Sequence, residues 1–162
     1  MHVEQVLFRR YRDDDHDAVW SVFAATTAQL GFTNGPWDDD MHTIQRTYLD
    51  SGGEFLVGER DGVIVAQAGF IREPEGRAKV RRVAVHPSAQ RRGIGRALMA
   101  ALEARARELG MRVLHLDASQ AAAHALYRAC GYTEVGHIVQ SGVECILYEK
   151  HLEPGSGGMS KT

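Results

Sequence analysis

Residues 83–98 read VAVHPSAQRRGIGRAL. An alternating apolar strand runs into His86-Pro87, then come Gly93 and Gly95, and an apolar helical stripe begins at Ile94. A helix that starts here leaves its first N–H groups without intrahelical partners. The helix dipole adds roughly half a positive charge at that end. The glycines let a ligand approach the backbone closely, and Arg91, Arg92 and Arg96 add charge that can grip phosphate bidentately. The stretch reads as an anion site suited to phosphate groups. The glycine spacing alone also suits a plain turn with a solvated arginine face. Two nucleotide loops fail against it. No Gly-Lys-Ser or Gly-Lys-Thr follows, and Leu98 stands where a dinucleotide fingerprint needs its third glycine. Asp117 does lie about the right distance downstream for a ribose contact.

Working outward, Ile94, Ala97, Leu98, Ala101, Leu102 and Leu109 form one helical stripe that ends at Gly110. "MRVLHLDA" reads as a strand, "QAAAHALYRAC" as a helix stopped by Gly131, and "YTEVGHIV" and "ECILYEKHL" as closing strands. Upstream, "AKVRRVAV" alternates. "EFLVGER" and "VIVAQAGFI" flank Asp61-Gly62, the pair that a type I′ hairpin turn favours. Earlier still, "VEQVLFRRY" is extended in pattern. Ala18, Val19, Val22, Phe23, Thr26 and Leu30 recur at helical spacing before Gly31, and Met41, Ile44 and Tyr48 predict a second short helix. The order is β-α-α-β-β-β-α-β-α-β-β. The fold class is α/β in the α+β sense: a mixed central sheet of about seven strands, mostly antiparallel, flanked by about four helices. The strand–helix–strand passage through the glycine loop needs a crossover, so its two strands are expected to be parallel neighbours. That makes one domain over residues 1–152 and a disordered tail over 153–162, where apolar periodicity stops.

The 162 residues suit a single core. A net charge of -2 argues against a general nucleic-acid binder, and 44% apolar residues are ordinary for a globular chain. No apolar run nears membrane-spanning length and no secretory signal opens the chain, so no membrane partner and a cytoplasmic location are expected. Cys130 and Cys145 read as buried thiols. The eight histidines include no His-x-x-x-His pair, so no metal is expected.

"QRRGIG" resembles the Gln/Arg-x-x-Gly-x-Gly/Ala signature of the GNAT superfamily, the acetyl-CoA-dependent N-acetyltransferases. "LHLDASQAAAHALYRACGY" resembles the later strand and helix of that family, and the order of elements matches from about Val6 to Leu152. The resemblance implies that acetyl-CoA is the co-substrate. It implies that the backbone of Val83, Ala84 and Val85 pairs with the pantetheine arm. The amides of Gln90, Arg91, Arg92, Gly93, Ile94, Gly95 and Arg96 would hold the pyrophosphate. Gln120 stands where the family often has an asparagine that contacts the arm. Residues 80–85 and 112–117 would splay to admit it. Tyr127 would be the general acid. Direct attack by a primary amine of a small molecule or peptide, in a ternary complex, would be the reaction. The alternative is an acetyl-CoA sensor without turnover, and a homodimer is left open.

The chemistry adds its own demands. An alkyl amine is only about one part in a thousand neutral near pH 7, so a proton must leave before or during attack. A strand N–H near Val83 can donate to the carbonyl oxygen as charge develops. Many relatives carry a glutamate near the start of the strand before the loop, where Lys79 and Arg81 stand here. Glu73 and Glu75 read as turn residues, and His115 and Asp117 as structural groups on the partner strand. The base is therefore sought in a water relay or the first helices. The acceptor pocket is expected from "GFTNGPWDDDM" and "GHIVQSGVE". Asp38, Asp39 and Asp40 can attract a cationic amine, but the favoured reading is that they cap the second helix while Trp37 packs under its loop.

Overall fold

The computed structural model describes residues 5–153, so all but Glu153 of the expected tail lies outside the described residues. Its strands are β1 (Leu7–Arg10), β2 (Glu54–Arg60), β3 (Val63–Glu73), β4 (Arg77–Val85), β5 (Val113–Ala118), β6 (Thr133–Gln140) and β7 (Val143–His151). They form one seven-stranded sheet in the order β1-β2-β3-β4-β5-β7-β6. Only β4 and β5 are parallel neighbours, and the other pairs are antiparallel. The helices are α1 (His16–Gln29), α2 (Ile94–Glu108) and α3 (Ala121–Ala129).

Local rules explain most boundaries. Asp61 and Gly62 both have positive φ, 53° and 79°, as a type I′ turn requires. Each α-helix ends against a left-handed glycine: Gly31 (φ 82°), Gly110 (83°) and Gly131 (91°). The second short helix takes another form. Residues Pro36–His42 make a 3₁₀ segment and Gln45–Leu49 a π turn. Met41, Ile44 and Tyr48 are still buried, as their spacing required. Within the 3₁₀ segment, Asp38 and Asp40 bind an arginine on β4, described below.

The sheet has apolar packing on both sides. Leu98, Leu102 and Ala106 of α2 pack with Leu56, Phe70 and Leu114 on one face. Val19 and Phe23 of α1 pack with Phe55, Val57 and Tyr48 on the other. Each large side chain buried in these layers contributes about 1.5–3 kcal/mol. Glu54 is fully buried and binds Arg10 Nε (3.0 Å) and Arg105 Nε (2.7 Å), which ties β1, β2 and α2 together. A carboxylate there requires such partners.

The parallel pair positions the site. β4 and β5 are in register only at Arg77↔Val113, Ala78↔Leu114 and Lys79↔His115. Beyond Lys79 the strands part, although β4 runs on to Val85 and β5 to Ala118.

Candidate active site

The glycine loop delivers unpaired donors to this gap. Arg91 (φ 65°) and Gly93 (φ 79°) both take left-handed backbone, and Gly93 is the N-cap of α2. Arg91 pays the steric cost that glycine escapes. The first loop-to-helix bond runs from Ala97 N to Gly93 O at 3.1 Å. The N–H groups of Arg91, Gly93, Ile94, Gly95 and Arg96 donate to no described residue. They border a cleft of 630 Å³. Val83, Ala84, Val85, Gln90, Arg91, Gly93, Ile94, Gly95, Arg96, Gln120 and Tyr127 all line it. Of the residues that the resemblance assigns to acetyl-CoA and to proton donation, Arg92 alone does not line it. Gln120 is the N-cap of α3, and Gln90 Nε2 donates to Val85 O at 2.9 Å.

A β-bulge shapes the β4 wall. Arg82 and Val83 together oppose one residue of β3, and Arg82 has φ 62°. Gln67 of β3, wholly buried, donates from Nε2 to Arg82 O at 3.2 Å. A planar trans peptide then turns the Val83 N–H away from Gln67. Val83 borders both the cleft and a second cavity of 380 Å³, which is lined from both β4 and β5.

Tyr127 also lies between the two cavities. Its ring is only 6% exposed and stacks edge-on with Tyr132 at 5.7 Å. Its hydroxyl bonds no described residue. Burial, then the nearby Cys130 and Asp117, pushes the phenol well above its ordinary value, so it stays protonated.

The second cavity is lined by Lys79, Arg81, Arg82, Asp117, Phe23 and Gln140 among others. Arg82 is fully committed. It donates from Nε to Asp40 Oδ2 (2.9 Å), from Nη1 to Asp38 Oδ1 (3.1 Å) and from Nη2 to Trp37 O (3.1 Å), with Phe23's ring 5.2 Å away. Tyr48 Oη adds a bond to Asp40 Oδ2 at 2.6 Å. Burial raises the Asp40 carboxyl, but the bonds from Arg82 and Tyr48 outweigh it and hold it below the usual carboxylate range. Asp38 does accept the Gly35 N–H (3.2 Å), as a cap would. Trp37, expected beneath its loop, is instead 67% exposed, because its carbonyl and not its ring is drawn inward to Arg82. Glu73 closes β3 and meets His115 Nε2 at 2.6 Å. Sequence reading missed Arg82 and Gln67, since nothing local marks a partner more than a dozen residues away.

The family model for the acetyltransferase (GNAT) family matches residues 13–132. The chain belongs to the GNAT family. Among its GNAT relatives, the phosphinothricin N-acetyltransferase of Alcaligenes faecalis is 29% identical over 91% of this chain and 83% of that protein. The aminoglycoside N(6')-acetyltransferase type 1 of Stenotrophomonas maltophilia is 34% identical over 72% of this chain and 84% of that protein. A Salmonella typhimurium acetyltransferase solved with acetyl-CoA superposes with a TM-score of 0.75 at 22% identity, covering 93% of this chain and 96% of that one. The seven-stranded sheet with its single parallel pair is thus a GNAT fold, and the chain is an acyltransferase of that family.

Proposed function

We propose that the cleft binds acetyl-CoA and that the chain transfers its acetyl group to a primary amine of a small molecule or peptide by direct attack in a ternary complex. The observation that carries this is the set of free amides at the head of α2, contiguous with the β4 edge that β5 has left. The residues fit a pyrophosphate. A Cβ placed on Gly95 would meet only ordinary contacts, the nearest being Leu126 Cδ1 at 3.5 Å, so internal packing does not demand glycine there. Its bareness serves an approaching ligand. The solved GNAT structure that holds acetyl-CoA supports the same reading.

Bound acetyl-CoA supplies an acetyl group activated as a thioester. The free amides of Arg91, Gly93, Ile94, Gly95 and Arg96, with the arginine side chains, hold the diphosphate, while the Gln90 N–H, expected among them, instead donates to Pro87 O at 3.5 Å. The backbone at Val83, Ala84 and Val85 and the Gln120 amide hold the pantetheine arm. The Val83 N–H faces the carbonyl oxygen and stabilises the charge that grows on it. The acceptor's nitrogen forms the new C–N bond as the C–S bond breaks. Tyr127 gives its proton to the departing sulfur, and the amine's proton leaves to water. Burial keeps the Tyr127 phenol protonated and so able to donate. The names of the relatives point to small-molecule amines as acceptors.

Calorimetric titration with acetyl-CoA, paired with thiol release over an amine panel, tests this. Saturable binding with amine-dependent thiol release is expected. Folded protein that takes up no acetyl-CoA refutes it.

A further inference from the structure

The parting of β4 from β5 leaves opposite charges facing each other unpaired. Lys79 and His115 are register partners. Two residues on, on the same face, stand Arg81 and Asp117. Had the ladder continued, the strands there would lie about 5 Å apart and the two would pair across them. The ladder ends at Lys79, and no bond joins them. The side chains of Asp117 and Lys79 have no ion-pair or hydrogen-bond partner among the described residues. Arg81 Nη1 comes no nearer than 3.8 Å to Asp40 Oδ2, an oxygen already bound by Arg82 and Tyr48. Arg82 in turn is consumed by Asp38 and Asp40. The 380 Å³ cavity therefore has on its β4 wall one unpaired cation, Lys79, and a second, Arg81, held only by a long contact to a shared carboxylate, and on its β5 wall one unpaired carboxylate, Asp117. Tyr127 lines it too, and Asp117 is near enough to raise its phenol.

We infer that the acceptor is a zwitterion, a primary amine with an anionic group a few bonds away, whose smallest form is a free α-amino acid. This rests on the acetyltransferase reading of the same site. Asp117 holds the ammonium end beside Tyr127, where the thioester must come. Lys79 and Arg81 hold the anionic end. The ligand replaces the ion pair that the splay prevents. The cavity lies near the lower end of the roughly 300–1,000 Å³ range for small-molecule sites, which suits a compact acceptor. A polyamine or aminoglycoside would set its further cations against Lys79 and Arg81. A peptide N-terminus would leave its carboxylate out of reach.

The test uses L-leucine, L-glutamine and L-phenylalanine, their α-carboxamides, and cadaverine, with thiol release as the readout. The free acids should exceed their amides and the diamine at least tenfold in kcat/KM. Lys79→Met and Arg81→Met should each erase most of that preference while the Kd for acetyl-CoA stays within about twofold of wild type. Asp117→Asn should raise the KM for the free acids. Equal rates for acid and amide, a preference for cadaverine, or an unchanged preference in both cation variants would overturn the inference. Titrating L-leucine and L-leucinamide into the protein, with and without saturating coenzyme A, reads the same selectivity without turnover. Tighter leucine supports the zwitterion even if no amine is acetylated, and equal or absent binding of both overturns it. Failure of acetyl-CoA binding would instead count against the proposed function.

Discussion

Replacing Gly95 with alanine should move stability and ligand affinity in opposite directions. Gly95 lies in the first turn of α2, where a Cβ would meet Leu126 Cδ1 and Cδ2 at 3.5 and 3.6 Å and Val85 Cγ2 at 3.9 Å. Those are ordinary contacts, so no clash offsets the helix gain of about 0.5–1 kcal/mol for alanine over glycine. For a chain of this size that corresponds to a rise in Tm of about 1–4 °C. The same methyl would stand against a ligand seated on the amides. Forcing an extra carbon into a filled contact costs about 1–3 kcal/mol. The Kd for acetyl-CoA should then weaken about 5- to 150-fold. Differential scanning calorimetry and isothermal titration measure the two effects on one sample. Gly93→Ala is the contrast: its φ of 79° makes any side chain cost about 1–2 kcal/mol, so Tm and affinity should fall together. A Gly95→Ala protein with a raised Tm and undiminished acetyl-CoA affinity would refute the amide cradle.

Tyr127→Phe should lower kcat about 10²- to 10⁴-fold while the Kd for acetyl-CoA barely moves, since the ring's packing survives and only the proton is lost. Arg82→Met should destabilise the fold by about 3–5 kcal/mol in urea unfolding, because it strands the Asp38 and Asp40 carboxylates in a buried site. That deficit depends on pH with a fixed sign. Asp40's carboxyl is held below its unfolded value, so its contribution is full above about pH 4 and fades as the pH falls through the lower folded value. The gap between wild type and Arg82→Met should be constant from pH 5 to 7 and narrow below about pH 4; a gap that widens on acidification contradicts the pairing. The kcat/KM for any amine should rise with pH toward that amine's own pKa, with no titration from Tyr127 in the neutral range.

Local interactions were legible in the residues alone. Glycines after periodic helices at 31, 110 and 131, and the Asp61-Gly62 turn, obey steric rules that act within a few residues, and each adopts the positive φ those rules demand. The anion loop belongs to this class too, because a glycine opening a helix exposes donors whatever surrounds it. Tertiary structure decided the rest. It parted β4 from β5 past Lys79, placed Tyr127 between two cavities, and committed Asp38 and Asp40 to Arg82, more than forty positions downstream. The parting of the strands leaves the side chains of Lys79 and Asp117 unpaired, and the commitment of Asp40 to Arg82 leaves Arg81 only a 3.8 Å contact to it. Whether a charge is spent or free depends on which partners the fold brings within about 4 Å, and no neighbour in the chain carries that information.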